Sequence, residues 1–167
     1  MRMQQDMFRT LNVMRRKLKS SSINLLRFIC IFSLVCLFSS KVQADKHFPI
    51  ERNSKAQTET GKVLFNQNCA SCHMSNLSGA KDWQSLDEDG HRKAPPLNGT
   101  AHTWHHPDKM LHQIIKLGLP RLIKDYQGKM LGFGDKLSDE DIDSILAYIK
   151  TYWSEDIYNQ HIKMSKN

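Results

Sequence analysis

The sequence is poor in cysteine, with four among 167 residues. Cys30 and Cys36 lie within an apolar run near the N-terminus, so Cys69 and Cys72 are the pair left for chemistry in the rest of the chain. A disulfide framework in a small secreted domain uses several pairs, and a zinc ribbon or finger needs a second ligand pair at short spacing. The scarcity of cysteine therefore argues against both kinds of site.

Net charge is also missing from most of the chain. The formal net charge is +7, but residues 1–44 contain eight Lys or Arg residues and one acidic residue, whereas the remainder contains 16 of each. Domains that bind nucleic acid present a basic patch or stripe. We therefore expect no nucleic-acid partner, and only modest electrostatic steering toward other partners.

A long uninterrupted hydrophobic run is absent too. The apolar stretch FICIFSLVCLF, residues 28–38, is shorter than the roughly 20 residues that a transmembrane helix needs. Basic residues precede it and the tripeptide VQA follows it, which is the layout of an export signal. We predict that residues 1–44 are a signal cleaved after Ala44. The alternative is an uncleaved membrane anchor over residues 23–40, and in either case the remainder lies in the periplasm or at the periplasmic face of the membrane.

Alternation of the kind that marks β-strands is not seen, and no repeat is visible. Helical patterns cover residues 57–68, residues 107–117 and a stretch that begins at Ser138 and ends near Trp153. The last of these patterns carries one apolar stripe, made of Ile142, Ile145, Leu146, Ile149 and Trp153. The segments between them are rich in Gly, Pro, Asp and Asn, which indicates loops. The residues after the signal therefore predict an all-α fold.

What the sequence does contain is the stretch NCASCH, in which Cys69 and Cys72 are followed at once by His73. A redox dithiol of the thioredoxin type belongs near a βαβ pattern, which this sequence does not show. The Cys-x-x-Cys-His spacing matches covalent attachment of haem, in which both thiols bond to the vinyl groups and the histidine binds the iron. We therefore predict one covalently bound haem c.

A haem held by one histidine has an open sixth position, which a methionine thioether can fill. Met130 lies in the glycine-rich stretch GKMLGFGDKLSD, outside the helical patterns, where irregular backbone can direct a side chain inward. Met110 lies on the apolar stripe of the middle helix, where core packing is the better explanation. We predict Met130 as the second iron ligand, with Met110 as the alternative.

Three stretches in this order, GKVLFNQNCASCH, APPLNG and GKMLGFGDKLSDEDIDSILAYIKTYW, resemble the class I c-type cytochromes of bacteria. The resemblance implies a cytochrome c fold of three to five helices around one haem, with the N- and C-terminal helices crossing. The resemblance assigns residues 56–153 to a cytochrome c domain. Before this domain we expect the export signal at residues 1–44 and a loose polar leader at residues 45–55. After it, residues 154–167 form a C-terminal extension, which we expect to be one further helical turn and a polar end.

The resemblance also implies roles for individual residues. Gly61 and Phe65 match the positions at the helix crossing, where they would face Ile145 and Tyr148. A glycine at such a crossing lets two backbones approach closely. Pro95 matches the proline whose carbonyl accepts a hydrogen bond from the iron-binding histidine, a contact that fixes the orientation of the imidazole.

The stretch AHTWHHPDK suggests a second metal site as a further hypothesis. His102, His105 and His106 lie close together in sequence, and imidazole suits copper and other transition metals. The simpler interpretation is a loop leading to a helix N-terminus, with Trp104 packed beside the haem.

The predicted function is that of an exported electron carrier, not an enzyme. A single His/Met-ligated haem c would pass one electron at a time between redox protein partners, through small and transient contacts. No integral membrane span is expected in the mature form unless the signal is uncleaved. Two alternatives stay open: a membrane-anchored cytochrome subunit of a respiratory dehydrogenase or oxidase complex, and a peroxidase-like haem enzyme whose sixth site opens.

Overall fold

The structure is a computed structural model, and it describes residues 48–166. The predicted export signal lies outside the described residues. Six α-helices and one 3-10 helix occur in the described part of the chain. They are α1 (Lys55–Asn68), α2 (Ala70–His73), the 3-10 helix (His102–His105), α3 (Asp108–Leu117), α4 (Leu119–Leu122), α5 (Asp139–Lys150) and α6 (Glu155–Ser165).

The prediction of an all-α fold is confirmed, since residues 48–166 form isolated β-bridges but no strand. The helix count exceeds the expected three to five because α2 and α4 are single turns of four residues. Helices α3 and α5 begin within one residue of their predicted starts, and α1 begins two residues before its predicted start. The Ser138 hydroxyl accepts a hydrogen bond from the Asp141 N–H, and the Asp141 carboxylate accepts one from the Ser138 N–H, which together cap α5.

Helices α1 and α5 form the central crossing of the fold. A Cβ atom placed on Gly61 would lie 1.9 Å from the Ser144 carbonyl oxygen, so only glycine fits at this point of contact. One turn further along α1, the fully buried Phe65 ring packs against the Tyr148 ring, with centroids 5.6 Å apart. The crossing implied by the resemblance is therefore present, with Ser144 as the closest neighbour of Gly61.

The apolar stripe of α5 fills the core as predicted. Each of its residues is at most 3% exposed, and α3 packs against the same helix. Close packing of branched apolar side chains is the main source of stability in such a core. The buried residues of the stripe within α5 are Ile142, Ile145, Leu146 and Ile149, and Trp153, three residues beyond the end of the helix, belongs to the same buried core.

A second buried cluster is made of charged and polar groups. The Asp108 carboxylate, at the start of α3, accepts hydrogen bonds from the Lys150 ammonium at 2.5 Å and from His161 Nε2 at 2.9 Å, and all three side chains are fully buried. The Ile50 N–H donates to the same carboxylate at 2.7 Å, and the Asp108 N–H donates to the Ser165 hydroxyl at 3.0 Å. One carboxylate thus joins α3, α5, α6 and the segment before α1.

Two members of this cluster, Asp108 and Lys150, have shifted pKa values. Burial alone would raise the pKa of the Asp108 carboxyl, but the hydrogen bond from His161 and the charge of Lys150 outweigh it, so the pKa lies below its usual range. Burial lowers the pKa of Lys150, and the attraction of Asp108 opposes that change. The Asp108 side chain is therefore an ionised carboxylate at neutral pH.

The segment before α1 is not the loose leader that its polar composition predicts. Ile50 is 5% exposed, and its carbonyl accepts a hydrogen bond from Lys150 at 2.6 Å. The Arg52 guanidinium donates to the carbonyl of Lys150, the last residue of α5, and to that of Trp153 in the following turn, each at 2.8 Å, and it lies 4.0 Å above the centre of the Tyr158 ring. These contacts fix the segment before α1 against the end of α5 and the start of α6.

The C-terminal extension also differs from the expectation of one further turn and a polar end. Helix α6 has 11 residues and buries Tyr158, His161 and Ser165. His161 Nδ1 donates to the Trp104 carbonyl at 2.9 Å, and the Trp153 ring packs edge-on against the imidazole. Two hydrogen bonds of His161 reach residues more than 50 positions away in the sequence. A local apolar pattern therefore could not predict how this helix packs.

Met110 is a third correction. The sequence assigns it to core packing, but its side chain is 39% exposed, and the buried face of α3 is formed by its neighbour Leu111 together with Asp108, His112 and Ile115. Met110, Leu111, Ile114 and Ile115 are too closely spaced for helical periodicity to fix which of them face inward.

None of the helices within residues 48–166 combines the length and the apolar character that crossing a membrane requires.

Candidate functional site

Cys69, Cys72 and His73 lie where α1 ends. Cys69 is the last residue to donate back into α1, through its N–H to the Phe65 carbonyl at 2.8 Å, and it is also the residue before α2. The His73 N–H then donates to the Cys69 carbonyl at 2.9 Å, which closes the single turn of α2. The predicted attachment residues are thus held on one tight turn whose start is fixed by the buried Phe65.

The His73 imidazole has a defined orientation. Its Nδ1 atom lies 2.9 Å from the Pro95 carbonyl oxygen, as the resemblance implies. Because a carbonyl can only accept, the proton is on Nδ1, and Nε2 keeps its lone pair. Burial lowers the pKa of His73, partly offset by this hydrogen bond, so the ring is neutral at pH 7. A neutral imidazole with a free Nε2 lone pair is the form that binds iron.

Hydrogen bonds to neighbouring segments fix the loop that carries the Pro95 carbonyl. Leu97 donates its N–H to the Leu77 carbonyl at 2.8 Å, and the Gly79 N–H donates to the His73 carbonyl at 3.0 Å. The Trp153 indole N–H donates to the Leu97 carbonyl at 2.8 Å. Sequence reasoning places Trp153 in the apolar stripe and misses this second role, which the indole N–H of a buried tryptophan could have suggested.

The two thiols do not resemble a redox dithiol. Both cysteines are free, with Cys69 half-buried and Cys72 exposed. Burial, together with the neighbouring Cys72, raises the pKa of Cys69 to about 11. Catalytic Cys-x-x-Cys pairs have thiols with lowered pKa values. The Cys69 thiol is therefore protonated at neutral pH, which is opposite to the lowered pKa that characterises the reactive thiol of such pairs.

The segment around Met130 is attached to the end of α3 by backbone contacts. The Leu119 N–H donates to the Met130 carbonyl at 3.1 Å, and Phe133 donates to the Ile115 carbonyl at 2.9 Å. A Cβ atom on Gly118 would lie 2.5 Å from the Gly132 nitrogen, so the two backbones touch there. The sequence assigns these glycines to turns alone and does not show that they bring the Met130 segment against α3.

The donor set fits haem c. His73 offers a neutral imidazole nitrogen, Cys69 and Cys72 are reduced, and Met130 is partly buried and packs against the core without belonging to a helix. These are the thioether-forming and iron-binding groups that a His/Met-ligated haem c needs. That Met130 is the second iron ligand stays a prediction.

The histidines of the stretch AHTWHHPDK do not converge on one point. The described residues contain one group of at least three metal-type donors within 4.8 Å of one another, and it consists of Asp87, Asp89 and His91. The ammonium of Lys129 already lies 3.0 Å from both of those carboxylates. His102 and His106 contact each other edge to face, with ring centroids 5.5 Å apart.

Comparison with known proteins agrees with the site. Residues 56–149, more than half of the chain, match the family described as cytochrome c oxidase, cbb3-type, subunit III. The chain is also similar to the cbb3-type cytochrome c oxidase subunit FixP of Azorhizobium caulinodans, with 33% identity over 107 residues. That alignment covers 61% of this chain and 32% of the relative, so the chain spans about a third of the length of FixP. The chain belongs to the cbb3-type cytochrome c oxidase subunit III family, whose cytochrome c domain carries covalently bound haem c.

Proposed function

We propose that this protein is a one-electron carrier with a single haem c, bound covalently to Cys69 and Cys72 and ligated by His73 and Met130. The observation that carries the proposal is the 2.9 Å hydrogen bond from His73 Nδ1 to the Pro95 carbonyl, directly after the cysteine pair. That bond leaves Nε2 as the atom that binds metal. Haem c supplies the electron chemistry, since its iron changes reversibly between two oxidation states.

The residues of the chain hold the group and set its properties. Cys69 and Cys72 would hold the haem through thioether bonds to its vinyl groups: each sulfur would bond to one vinyl carbon and the thiol hydrogen would go to the other, so attachment would need no oxidant or reductant. The Pro95 carbonyl would strengthen His73 as a donor to iron by accepting a hydrogen bond from its Nδ1 proton. The thioether of Met130 would favour reduced iron and would exclude small ligands. A site closed in this way passes electrons and does not itself act on peroxide or gases.

The relative favours a more specific setting, in which the domain is one electron-carrying part of a membrane-bound oxidase. FixP is a cbb3-type oxidase subunit about three times as long as the shared region. We propose that redox proteins of such a complex are the partners and that the domain works on the periplasmic side of the membrane. Residues 1–44 would deliver it there, as a cleaved signal or as a retained anchor. A freely diffusing carrier requires the cleaved form.

Attachment and electron chemistry are tested together on the full chain, produced with export and haem-maturation machinery. We expect a mass increase of one haem that denaturation does not remove, and a redox titration that follows a one-electron curve. Cys69→Ser with Cys72→Ser should abolish the added mass. The matched control is Cys30→Ser with Cys36→Ser, which leaves attachment unchanged if those cysteines serve only the signal. Haem that extracts into acidified organic solvent, or attachment that persists without Cys69 and Cys72, contradicts the proposal.

The setting is tested by mass spectrometry and fractionation of the same material. An N-terminus at Asp45 with protein in the periplasmic fraction supports the free carrier. An intact basic segment with protein in the membrane fraction, together with oxidase proteins retained by a tag on this chain, supports the oxidase-subunit alternative.

A further inference from the structure

Lys129, the residue before Met130, forms a double ion pair. Its ammonium nitrogen lies 3.0 Å from an oxygen of Asp87 and 3.0 Å from an oxygen of Asp89. Both acids belong to a turn some 40 residues earlier in the chain. We call the three side chains the carboxylate clasp.

The turn that carries the two acids is itself well ordered by local hydrogen bonds. The second oxygen of Asp87 accepts from the N–H groups of Asp89 at 3.1 Å and His91 at 2.8 Å. The Asp87 N–H donates to the His91 carbonyl at 2.8 Å. The Asp87 carboxylate is therefore held in place before it meets Lys129, so the ordering cost of the ion pair falls mainly on the lysine and the more exposed Asp89.

Backbone contacts bring the same turn to the residues just before Lys129. The Arg92 N–H donates to the Gln127 carbonyl at 2.7 Å, and Arg92 and Gly128 form a parallel bridge. On the other side of Met130, the chain is fixed to α3 and α4 by the Leu119 N–H. Met130 thus lies between two attachments, one made only of backbone and one that includes the clasp.

We propose that the carboxylate clasp positions Met130 for the iron. The inference rests on the proposed role of Met130 as the second ligand and adds that Lys129 is a positioning residue for it. A thioether is a weak ligand, so its hold on the iron depends on how firmly the chain presents it. When the clasp opens, Met130 leaves the iron more often and an external ligand competes more easily.

The geometry also predicts a dependence on salt. The side chains of Lys129 and Asp89 are 58% and 71% exposed, so dissolved ions reach the pair. At 1 M salt the screening length is about 3 Å, whereas at 0.01 M it is about 30 Å. High salt should therefore weaken the carboxylate clasp in the parent protein and make Met130 easier to displace from the iron. Once Lys129 loses its charge, the ease of displacement should no longer depend on salt.

The test uses imidazole as a competitor on the oxidised, haem-loaded full chain. Displacement of Met130 is followed through loss of the weak sulfur-to-iron absorption, at low and at high salt. At low salt, Lys129→Gln should bind imidazole about two- to fivefold more tightly than the parent, the range expected for an exposed ion pair. Raising the salt should strengthen imidazole binding in the parent and leave Lys129→Gln unchanged. Lys129→Arg keeps the charge and should behave like the parent.

Lys124→Gln is the matched control, since it removes the same charge from the same stretch of chain outside the clasp. It should match the parent at both salt concentrations. Equal imidazole affinity of Lys129→Gln and the parent at low salt, in proteins that show the sulfur-to-iron absorption, would overturn the clasp while leaving the proposed function intact. An equal effect of Lys124→Gln would overturn it as well, by reducing it to general charge. A parent without the absorption would overturn the ligation by Met130 and the clasp with it.

Discussion

Helix α5 makes two contacts of opposite character. Toward α1 it presents an apolar face, where Gly61 lies against the Ser144 carbonyl and Phe65 against Tyr148. At its C-terminal end it presents the buried Lys150 to Asp108. The first contact depends on shape and tolerates no added volume. The second depends on matched charges and tolerates no missing partner.

The difference matters because each contact supports a different part of the fold. The apolar crossing fixes the end of α1, and so the turn that carries Cys69 and His73. The charged cluster fixes α6 and the 3-10 helix beside it, through the hydrogen bond from His161 to the Trp104 carbonyl. Breaking one contact at a time should therefore separate stability that depends on pH from stability that does not.

The largest effect is expected for Asp108→Asn, which keeps the shape and removes the charge. The Lys150 ammonium would lose its ionised partner in a fully buried site, and removal of one member of a buried pair typically costs about 3–5 kcal/mol. The free energy of unfolding of the haem-loaded protein, measured with urea, checks this. Adding Lys150→Met should recover part of the loss, because two apolar or neutral groups need no charge compensation. A double variant no more stable than Asp108→Asn would show that the ion pair is not the source of the cost.

A smaller loss is expected for Gly61→Ala. The added Cβ would lie 1.9 Å from a backbone oxygen, which cannot rotate away, so the two helices must move apart. Overpacking of this kind typically costs about 1–3 kcal/mol. The control is Lys62→Ala, the next residue and exposed, which should change the free energy of unfolding by less than about 0.5 kcal/mol. If Gly61→Ala is as stable as the parent in the same urea titration, the close crossing is not present in solution.

The most gradual effect is the response to acid. The pKa of the Asp108 carboxyl lies below its usual range in the folded protein. Its contribution to stability is therefore complete above the unfolded-state value of about 3.9, and it is lost as the pH falls from there through the lower folded-state value. Unfolding measured from pH 7 downward should show this loss in the parent. In Asp108→Asn the decline should be shallower, and equal slopes would exclude Asp108 as the titrating group.

The two contacts also differ in how far the sequence predicts them. The apolar stripe of α5, the Ser138 cap and the glycine at position 61 follow from local periodicity and from the family pattern, and the His73–Pro95 hydrogen bond follows from the latter. The pairing of Asp108 with Lys150 spans 42 residues, and that of Lys150 with the Ile50 carbonyl spans 100. No local sequence pattern predicts such contacts, because a buried and paired Asp or Lys on a helix cannot be distinguished in the sequence from an exposed one.

Met110 and helix α6 are two further cases in which local sequence patterns do not predict which residues are buried. Four apolar residues crowded on one short helix leave its inward face ambiguous, and the exposed position of Met110 is decided by what packs on α3. Helix α6 buries His161, a polar residue, through hydrogen bonds to the Trp104 carbonyl and the Asp108 carboxylate, and the pattern of apolar residues in 155–165 does not predict this burial. The sequence therefore predicts the residues proposed to bind haem more readily than the residues whose distant contacts stabilise the fold.

The proposed ligation of iron by Met130 is tested by the sulfur-to-iron absorption of the oxidised, haem-loaded protein. If Met130 is the second ligand, the parent shows this absorption and excludes carbon monoxide when reduced, whereas Met130→Ala lacks the absorption and binds carbon monoxide. Met110→Ala is the matched control and should behave like the parent, because Met110 is partly exposed on α3. An absorption that survives in Met130→Ala, or a parent that lacks it and binds carbon monoxide readily, would show that Met130 is not the ligand.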